Sequence, residues 1–346
     1  MVKIESDPKL DFSSVLIKPK RSFLNSRSEV DLVKTLKFRN NYEWSGVPII
    51  AANMASVGTF EVYNELSKNK IITAFHKFYK LQDYKDAETK LGVKLDPDYF
   101  MVSCGIRESD YENLCEIVDN MEVRFINLDV PNGYIPNFVS FCKKIRDKYP
   151  NVVLSAGNVA TSEMVESLIM EADVDIIKVG IGPGSVCTTR KITGVGIPQL
   201  SCIMECADAA HGLGRYIIGD GGITCPGDLS KAYCGGADFV MMGGCFAGHL
   251  ENPGEVIEKN GQKYKIFYGM SSNHAMSTHY KKKETYRAGE GKVVEIKYKG
   301  EINNTVSEYL GGLRSTCTYI GAENIKHMSK CTTFVLVSQQ LNHVYS

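Results

Sequence analysis

The chain has 346 residues, 43% of them hydrophobic, and its 40 Lys and Arg balance 40 Asp and Glu. That supplies a core for one large domain or two ordinary ones, while the zero net charge excludes a global field attracting nucleic acid or an acidic membrane. No stretch reaches the roughly 18 to 20 apolar residues of a membrane span. The opening MVKIESDPKLDF has no signal-peptide apolar region, and eleven cysteines without a C-x-x-C pair predict reduced thiols in a cytoplasmic protein, not disulfides or zinc.

Residues 1–46 read as a polar segment carrying a basic run, Lys18-Pro19-Lys20-Arg21, followed by Ser26-Arg27-Ser28. Such a run is by default a solvated face, with a phosphate contact as the alternative. Short apolar runs then recur at 47–52, 71–75, 100–104, 125–130, 152–156, 176–180, 216–219 and 239–242. Each is nearly continuous in apolar residues, as parallel strands covered on both faces are. Helical patterns fill the gaps: 59–68, 109–120 with Ser109 as N-cap, 161–172 opening on Thr161 and Ser162, and 199–212 closed by Gly212. This alternation predicts an α/β fold, a (β/α)8 TIM barrel with residues 1–346 as a single domain bearing a C-terminal flap and tail. A doubly wound open sheet is the alternative. Against it, Gly180-Ile181-Gly182-Pro183-Gly184 lacks the spacing of the dinucleotide fingerprint and runs into a loop, not a helix.

The longest interval between strand starts runs from 176 to 216; it opens on the stretch IIKVGIGPGSVCTTR, 176–190, and holds the loop 181–198. The loop brings Ser185, Cys187, Thr188, Thr189 and Arg190 close together, and a thiol among hydroxyls and a cation is a candidate nucleophile. A structural cysteine in a tight turn is the alternative. Other strand ends carry Asn53-Met54, His76-Lys77, Asp129, Asn158, Asp220-Gly221-Gly222 and Gly243-Gly244. Glycine pairs after the seventh and eighth strands match the place where barrels bind phosphate through backbone N–H groups. Asp220 beside such a pair suits ribose hydroxyls, so a phosphorylated nucleoside is the expected ligand. The charged, Gly-punctuated 281–300 is expected to be a mobile flap, with a plain surface hairpin as the alternative. Seven scattered histidines with no H-x-x-x-H pair disfavour metal catalysis.

The ordered pieces LDFSSVLIKPKRS, VGIGPGSVCTTR, ECADAAHGLG, GADFVMMGG, FYGMSS, GGLRSTCTYIG and KCTTFVLV resemble the GMP reductases, relatives of the IMP dehydrogenases. The reductase branch is favoured by Glu290, in Tyr286-Arg287-Ala288-Gly289-Glu290-Gly291, where the dehydrogenases have Gln. It is also favoured by the N-terminal KPKRS and SRSEVDL pieces, and by the lack of an inserted regulatory domain.

The resemblance implies a homotetramer converting GMP, NADPH and protons to IMP, ammonia and NADP+. Cys187 would attack purine C2, expel ammonia and hold a thioimidate that accepts hydride, with Thr189 and Glu290 handling the proton. Glu290 would also recognise the 2-amino group. The implied substrate contacts are Ser185, Asp220, Gly221, Gly222, Gly243, Gly244, Gly269, Met270, Ser271, Arg287, Ala288, Gly289 and Gly291. The implied cofactor contacts are Ser26, Arg27, Lys77, Asp129, Val130, Pro131, Ile181, Gly182, Arg287, Ser315, Thr316, Cys317 and Thr318. A monovalent cation, K+, is implied at Gly182, Gly184, Cys187 and Arg190. The chain departs from the family pattern at Ala55, Phe78 and Ile106, where Asp, His and Thr are usual, so altered cofactor use is expected. An IMP dehydrogenase and a catalytically weakened nucleotide-binding barrel stay open as alternatives.

Overall fold

Eight parallel strands close into a barrel: β1 (Ile49–Ala51), β2 (Ile72–Phe75), β3 (Phe100–Cys104), β4 (Phe125–Asp129), β5 (Val153–Val159), β6 (Ile176–Val179), β7 (Tyr216–Asp220) and β8 (Phe239–Met242). Closure comes from β8 pairing in parallel with β1, Val240 opposite Ile49. This computed structural model describes residues 2–92, 94–270, 272 and 290–338. All eight predicted strands are present, and the open-sheet alternative is overturned by the β8–β1 ladder.

The helices α1 (Phe60–Leu66), α2 (Leu81–Leu91), α3 (Glu108–Asn120), α4 (Pro136–Lys148), α5 (Ser162–Ala172), α6 (Gln199–Gly212), α7 (Pro226–Cys234) and α8 (Ile302–Ile320) alternate with the strands and follow the last of them. Each strand is largely apolar because both of its faces are buried. In β1, Ile50 points into the barrel interior while Ile49 and Ala51 pack against the helical layer. One expected helix end is corrected, and two stand at the expected residues. The N-cap of α3 is Arg107, with Ser109 inside the first turn. Thr161 is the N-cap of α5, but its hydroxyl bonds the Tyr134 hydroxyl at 2.9 Å and no backbone N–H of the helix. Gly212 stays helical, and it is Gly214 that adopts the left-handed conformation.

Residues 1–46 are more than a polar lead-in. Lys34–Lys37 and Glu43–Gly46 form an antiparallel hairpin with Leu36 opposite Trp44. Trp44 is wholly buried, its ring 5.1 Å from that of Phe239 and its indole N–H bonded to the Asp98 carbonyl at 2.9 Å. Phe38 meets Phe125 and Tyr216 edge-on at 6.0 and 5.4 Å. Since Phe125, Tyr216 and Phe239 open their strands, this hairpin plugs the N-terminal mouth. Lys34 fastens it through Asp238 at 2.9 Å, and Asp238 also meets His211 at 2.7 Å.

A three-stranded antiparallel sheet, Ile257–Lys259, Gln262–Tyr268 and Val293–Lys297, lies outside the barrel. Its last strand occupies part of the stretch expected to be a flap; 281–289 lies outside the described residues. The N-terminal Val15–Ile17 pairs with Phe334–Leu336. The run Lys18 to Arg21 is exposed. All eleven cysteines are free thiols, and among the described residues no helix is long and apolar enough to cross a membrane.

Candidate active site

Strand period decides what faces the mouth. Phe125 points inward at the foot of β4, so Asn127 and Asp129 do too; Ile176 of β6 brings Lys178 inward, and Ile218 of β7 brings Asp220. The barrel interior is therefore layered. Aromatic and aliphatic residues lie at the base. Asn127, bonded to Ser103 at 3.1 Å, lies midway, and charged groups lie at the C-terminal rim.

The loop after β6 carries Cys187, half-buried, and a short helix, Thr189–Thr193, follows it. The Cys187 amide donates to the Gly184 carbonyl at 3.0 Å, closing a tight turn. Residues 290–292 then dock on the loop as an antiparallel bridge. Thr188 N–H donates to the Glu290 carbonyl and Lys292 N–H to the Val186 carbonyl, both at 3.0 Å. This pairing places the Glu290 side chain. The Cys187 thiol donates to Thr189 Oγ1 at 3.2 Å, and that hydroxyl donates to Glu290 Oε2 at 2.6 Å. Thiol, hydroxyl and carboxylate form one continuous proton path.

The glycines expected to meet a phosphate lie close to the Cys187 loop. Gly221 and Gly222, at φ +87° and +86°, turn the chain after β7 in a conformation that L side chains rarely adopt. A Cβ on Gly221 would lie 3.1 Å from the Gly184 amide nitrogen, and one on Gly222 would lie 3.2 Å from the Phe12 ring. Gly244 faces Ser185, whose Oγ would be 2.7 Å from an added Cβ. A cavity of about 430 Å³ opens beside Ser185 and Gly244, its wall continued by Lys292 and Lys299. Those two cations outnumber Glu308 of the same wall, which favours an anion there. Gly243 lies against Met54, Gly269 against Gly291, and the Met270 sulfur accepts the Ala55 N–H at 3.2 Å. Ser271, Arg287, Ala288 and Gly289 lie outside the described residues.

The expected cofactor residues fall into two groups. Lys77, ion-paired with Asp110 at 2.8 Å, lies close enough to Asp129 to help hold that carboxylate ionised. Val130 continues β4 through a bond to the Gly157 carbonyl, followed by exposed Pro131; half-buried Ile181 opens the Cys187 loop. Phe78 lies beside Lys77, and half-buried Ile106 packs on the core. The second group lies on the helical layer. Ser26 caps the turn Arg27–Glu29, which packs on α8, and Thr316 bonds Ser230 of α7 at 2.8 Å. Ser315 and Thr318 bond backbone carbonyls of their own helix, and the Cys317 side chain is fully buried.

At the expected cation positions, Gly182 adopts φ +86° with the Arg190 stem packed against it. The Arg190 guanidinium bonds Asp11 at 3.2 Å and the Ile197 carbonyl at 2.6 Å. Its charge is thus matched by Asp11, leaving neutral carbonyl donors at Gly182 and Gly184, and those suit a hard monovalent cation.

Sequence reading missed the charged cluster inside the rim. Lys178 contacts Asp129 Oδ1 at 2.5 Å and Asp220 Oδ2 at 3.1 Å. Asn53 donates to Asp129 Oδ2 and Asn158 to Asp220 Oδ2, each at 2.8 Å. A register shift between Gly157 and Val159 marks a bulge at Asn158, at the rim where it reaches Asp220. Burial pulls the Lys178 pKa down, but the two carboxylates outweigh it and hold the ammonium above the ordinary lysine value. Burial likewise pushes Asp129 up, and Lys178 and Asn53 bring it below the usual carboxylate range. The available signal was a lone lysine in the otherwise apolar run Ile176-Ile177-Lys178-Val179.

Residues 9–342 match the family model described as IMP dehydrogenase / GMP reductase domain. The chain is 55% identical to GMP reductase 1 of Mus musculus, covering 100% of both proteins. It is 53% identical to GMP reductase 2 of Homo sapiens, over 100% of this chain and 99% of that protein. It is 49% identical to GMP reductase of Caenorhabditis elegans, over 100% of this chain and 96% of that protein. With its eight-stranded barrel and the Cys187 loop at the C-terminal mouth, the chain belongs to the IMP dehydrogenase / GMP reductase family.

Proposed function

We propose that this chain is an NADPH-dependent GMP reductase, converting GMP to IMP with release of ammonia. The observation that carries the reading is the Cys187–Thr189–Glu290 path, a nucleophile linked through a hydroxyl to a carboxylate. Cys187 attacks purine C2, and its proton passes through Thr189 toward Glu290 as the C–S bond forms. Glu290, returning that proton through Thr189, lets the 2-amino group leave as ammonia and not as an amide-like anion. The covalent step divides one hard displacement into two easier ones. Backbone N–H groups at Gly221–Gly222 and Gly243–Gly244, with Ser185, hold the phosphate, and Asp220 takes the ribose diol. Gly269, Met270 and Gly291 border the purine.

NADPH supplies hydride to C2 when bound; the C–S bond to Cys187 then breaks, releasing IMP and a thiolate that takes a proton from solvent. Lys77, Asp129, Val130, Pro131, Ile181 and Gly182 would hold its reactive end, and Ser26, Arg27 and Ser315 to Thr318 its remote end. The backbone of Gly182, Gly184 and Cys187, with Arg190, would hold K+, which stiffens the nucleophile's turn. A cytoplasmic homotetramer is the assembly in keeping with this reading.

Purified protein mixed with GMP and NADPH tests it by loss of nicotinamide absorbance. Turnover is expected, and Cys187→Ala is expected to reduce it by about 10⁴-fold or more while retaining GMP binding. IMP oxidation with NAD+ in place of GMP reduction would replace this reading with the dehydrogenase, and GMP binding without turnover would replace it with a binding barrel.

A further inference from the structure

One buried cation at the rim has no part in the chemistry above. The Lys178 side chain is 3% exposed and its ammonium bonds two carboxylates from strands that are not neighbours, Asp129 on β4 and Asp220 on β7. Each carboxylate has a second donor, Asn53 on Asp129 and Asn158 on Asp220. Both oxygens of Asp129 are thus occupied. On Asp220 the two bonds converge on Oδ2, which leaves Oδ1 among the described contacts as the oxygen to face a ligand.

We propose that Lys178 is a positioning residue that couples the nucleotide pocket to the cofactor pocket, one ammonium fixing the ribose-side and cofactor-side carboxylates together. This rests on the reading of Asp220 and Asp129 as ribose and cofactor contacts. The physical reason is charge and geometry. Lys178 with its two carboxylates carries a net charge of minus one; without the lysine, two like charges face each other across a low-dielectric mouth. They repel each other, turn away from their ligands, and double the negative charge met by two anionic substrates. A ligand that orders Asp220 through Oδ1 also orders Lys178, and through it Asp129, so each ligand favours the other.

Calorimetric titration of GMP and of NADP+, each alone and each in the presence of the other, tests the coupling without requiring turnover. The wild type is expected to bind each ligand about fivefold or more tightly when the other is present. Lys178→Met is expected to weaken both ligands by about tenfold or more and to abolish the mutual enhancement. Lys178→Arg, which keeps the charge, should restore most of both. Asp129→Asn should weaken chiefly NADP+, and Asp220→Asn chiefly GMP. The double variant Asp129→Asn/Lys178→Met removes the uncompensated charge, so its thermal midpoint should recover toward wild type while GMP affinity and the mutual enhancement stay lost. A Lys178→Met protein with a lowered midpoint but both affinities within twofold of wild type would overturn the proposal, as would equal wild-type affinities with and without the second ligand. Wild-type binding of both ligands without turnover would sink the reductase reading and leave the lysine fully tested.

Discussion

At the N-terminal mouth the barrel is closed by Phe38, edge-on to Phe125 and Tyr216, and by Trp44 against Phe239. At the C-terminal mouth, fewer than five residues up the same strands, the lining is glycine, hydroxyl and a lysine held between carboxylates. The strands are shared, so the difference lies in what is attached to each end. A hairpin folded onto the lower end supplies large side chains that exclude water. The upper loops withhold side chains, so that backbone N–H groups and a few polar groups can meet a ligand closely. Stability is concentrated below and chemistry above, the division expected of such barrels.

Substitutions at the two mouths should therefore fail in different ways. Glu290→Gln removes the proposed proton acceptor and is expected to lower kcat by about 10²- to 10⁴-fold with little change in thermal midpoint, measured by NADPH oxidation and calorimetry. Trp44→Ala should do the reverse. It empties a fully buried site and is expected to cost about 3–5 kcal/mol in chemical denaturation, with KM for both substrates unchanged in the folded protein. A large KM change from Trp44→Ala would break the separation of the two mouths. Gly222→Ala sits between these extremes. A left-handed alanine costs about 1–2 kcal/mol, so a KM rise for GMP with a modest loss of stability is expected from steady-state kinetics and melting.

The smallest effect belongs to the clasp under the plug. The hydrogen bond to Asp238 raises the His211 pKa despite partial burial. A raised folded-state pKa means the charged clasp contributes fully below the ordinary value of about 6.5 and is lost as pH rises through the folded value. His211→Gln should flatten that part of the stability–pH curve by only a few tenths of a kcal/mol, because the imidazole is 43% exposed and solvent screens it. Its kcat/KM profile should not move.

The barrel was legible because continuous apolar runs are hard to satisfy by anything but strands buried on both faces, and each of the eight reappears within a few residues. The glycine pairs and the Cys187 loop were legible because strand ends are where polar residues stand out against apolar neighbours. The hairpin plug was not. Its apolar residues, Leu36, Phe38 and Trp44, are spread through a polar segment and acquire meaning only from the strand ends they cover. The cap of α3 was misread by two residues, because Ser109 lies inside the first turn that Arg107 opens. Lys178 was invisible as a charge centre because its partners lie 49 and 42 residues away, on strands whose order in the barrel sets the distance.

The Thr189–Glu290 bond joins residues 101 positions apart. A chain emerging from synthesis N-terminus first contains the thiol, its glycine turn and all eight barrel strands while the carboxylate does not yet exist. Until residues 290–292 dock on the loop, the proposed nucleophile has no route for its proton. Chemical competence is thereby deferred until residues 290–292 exist, whereas Trp44, the sole tryptophan, is sealed in once β8 brings Phe239 against it. The two mouths are thus separate clocks: indole fluorescence times the closing of the floor, and turnover times the completion of the whole.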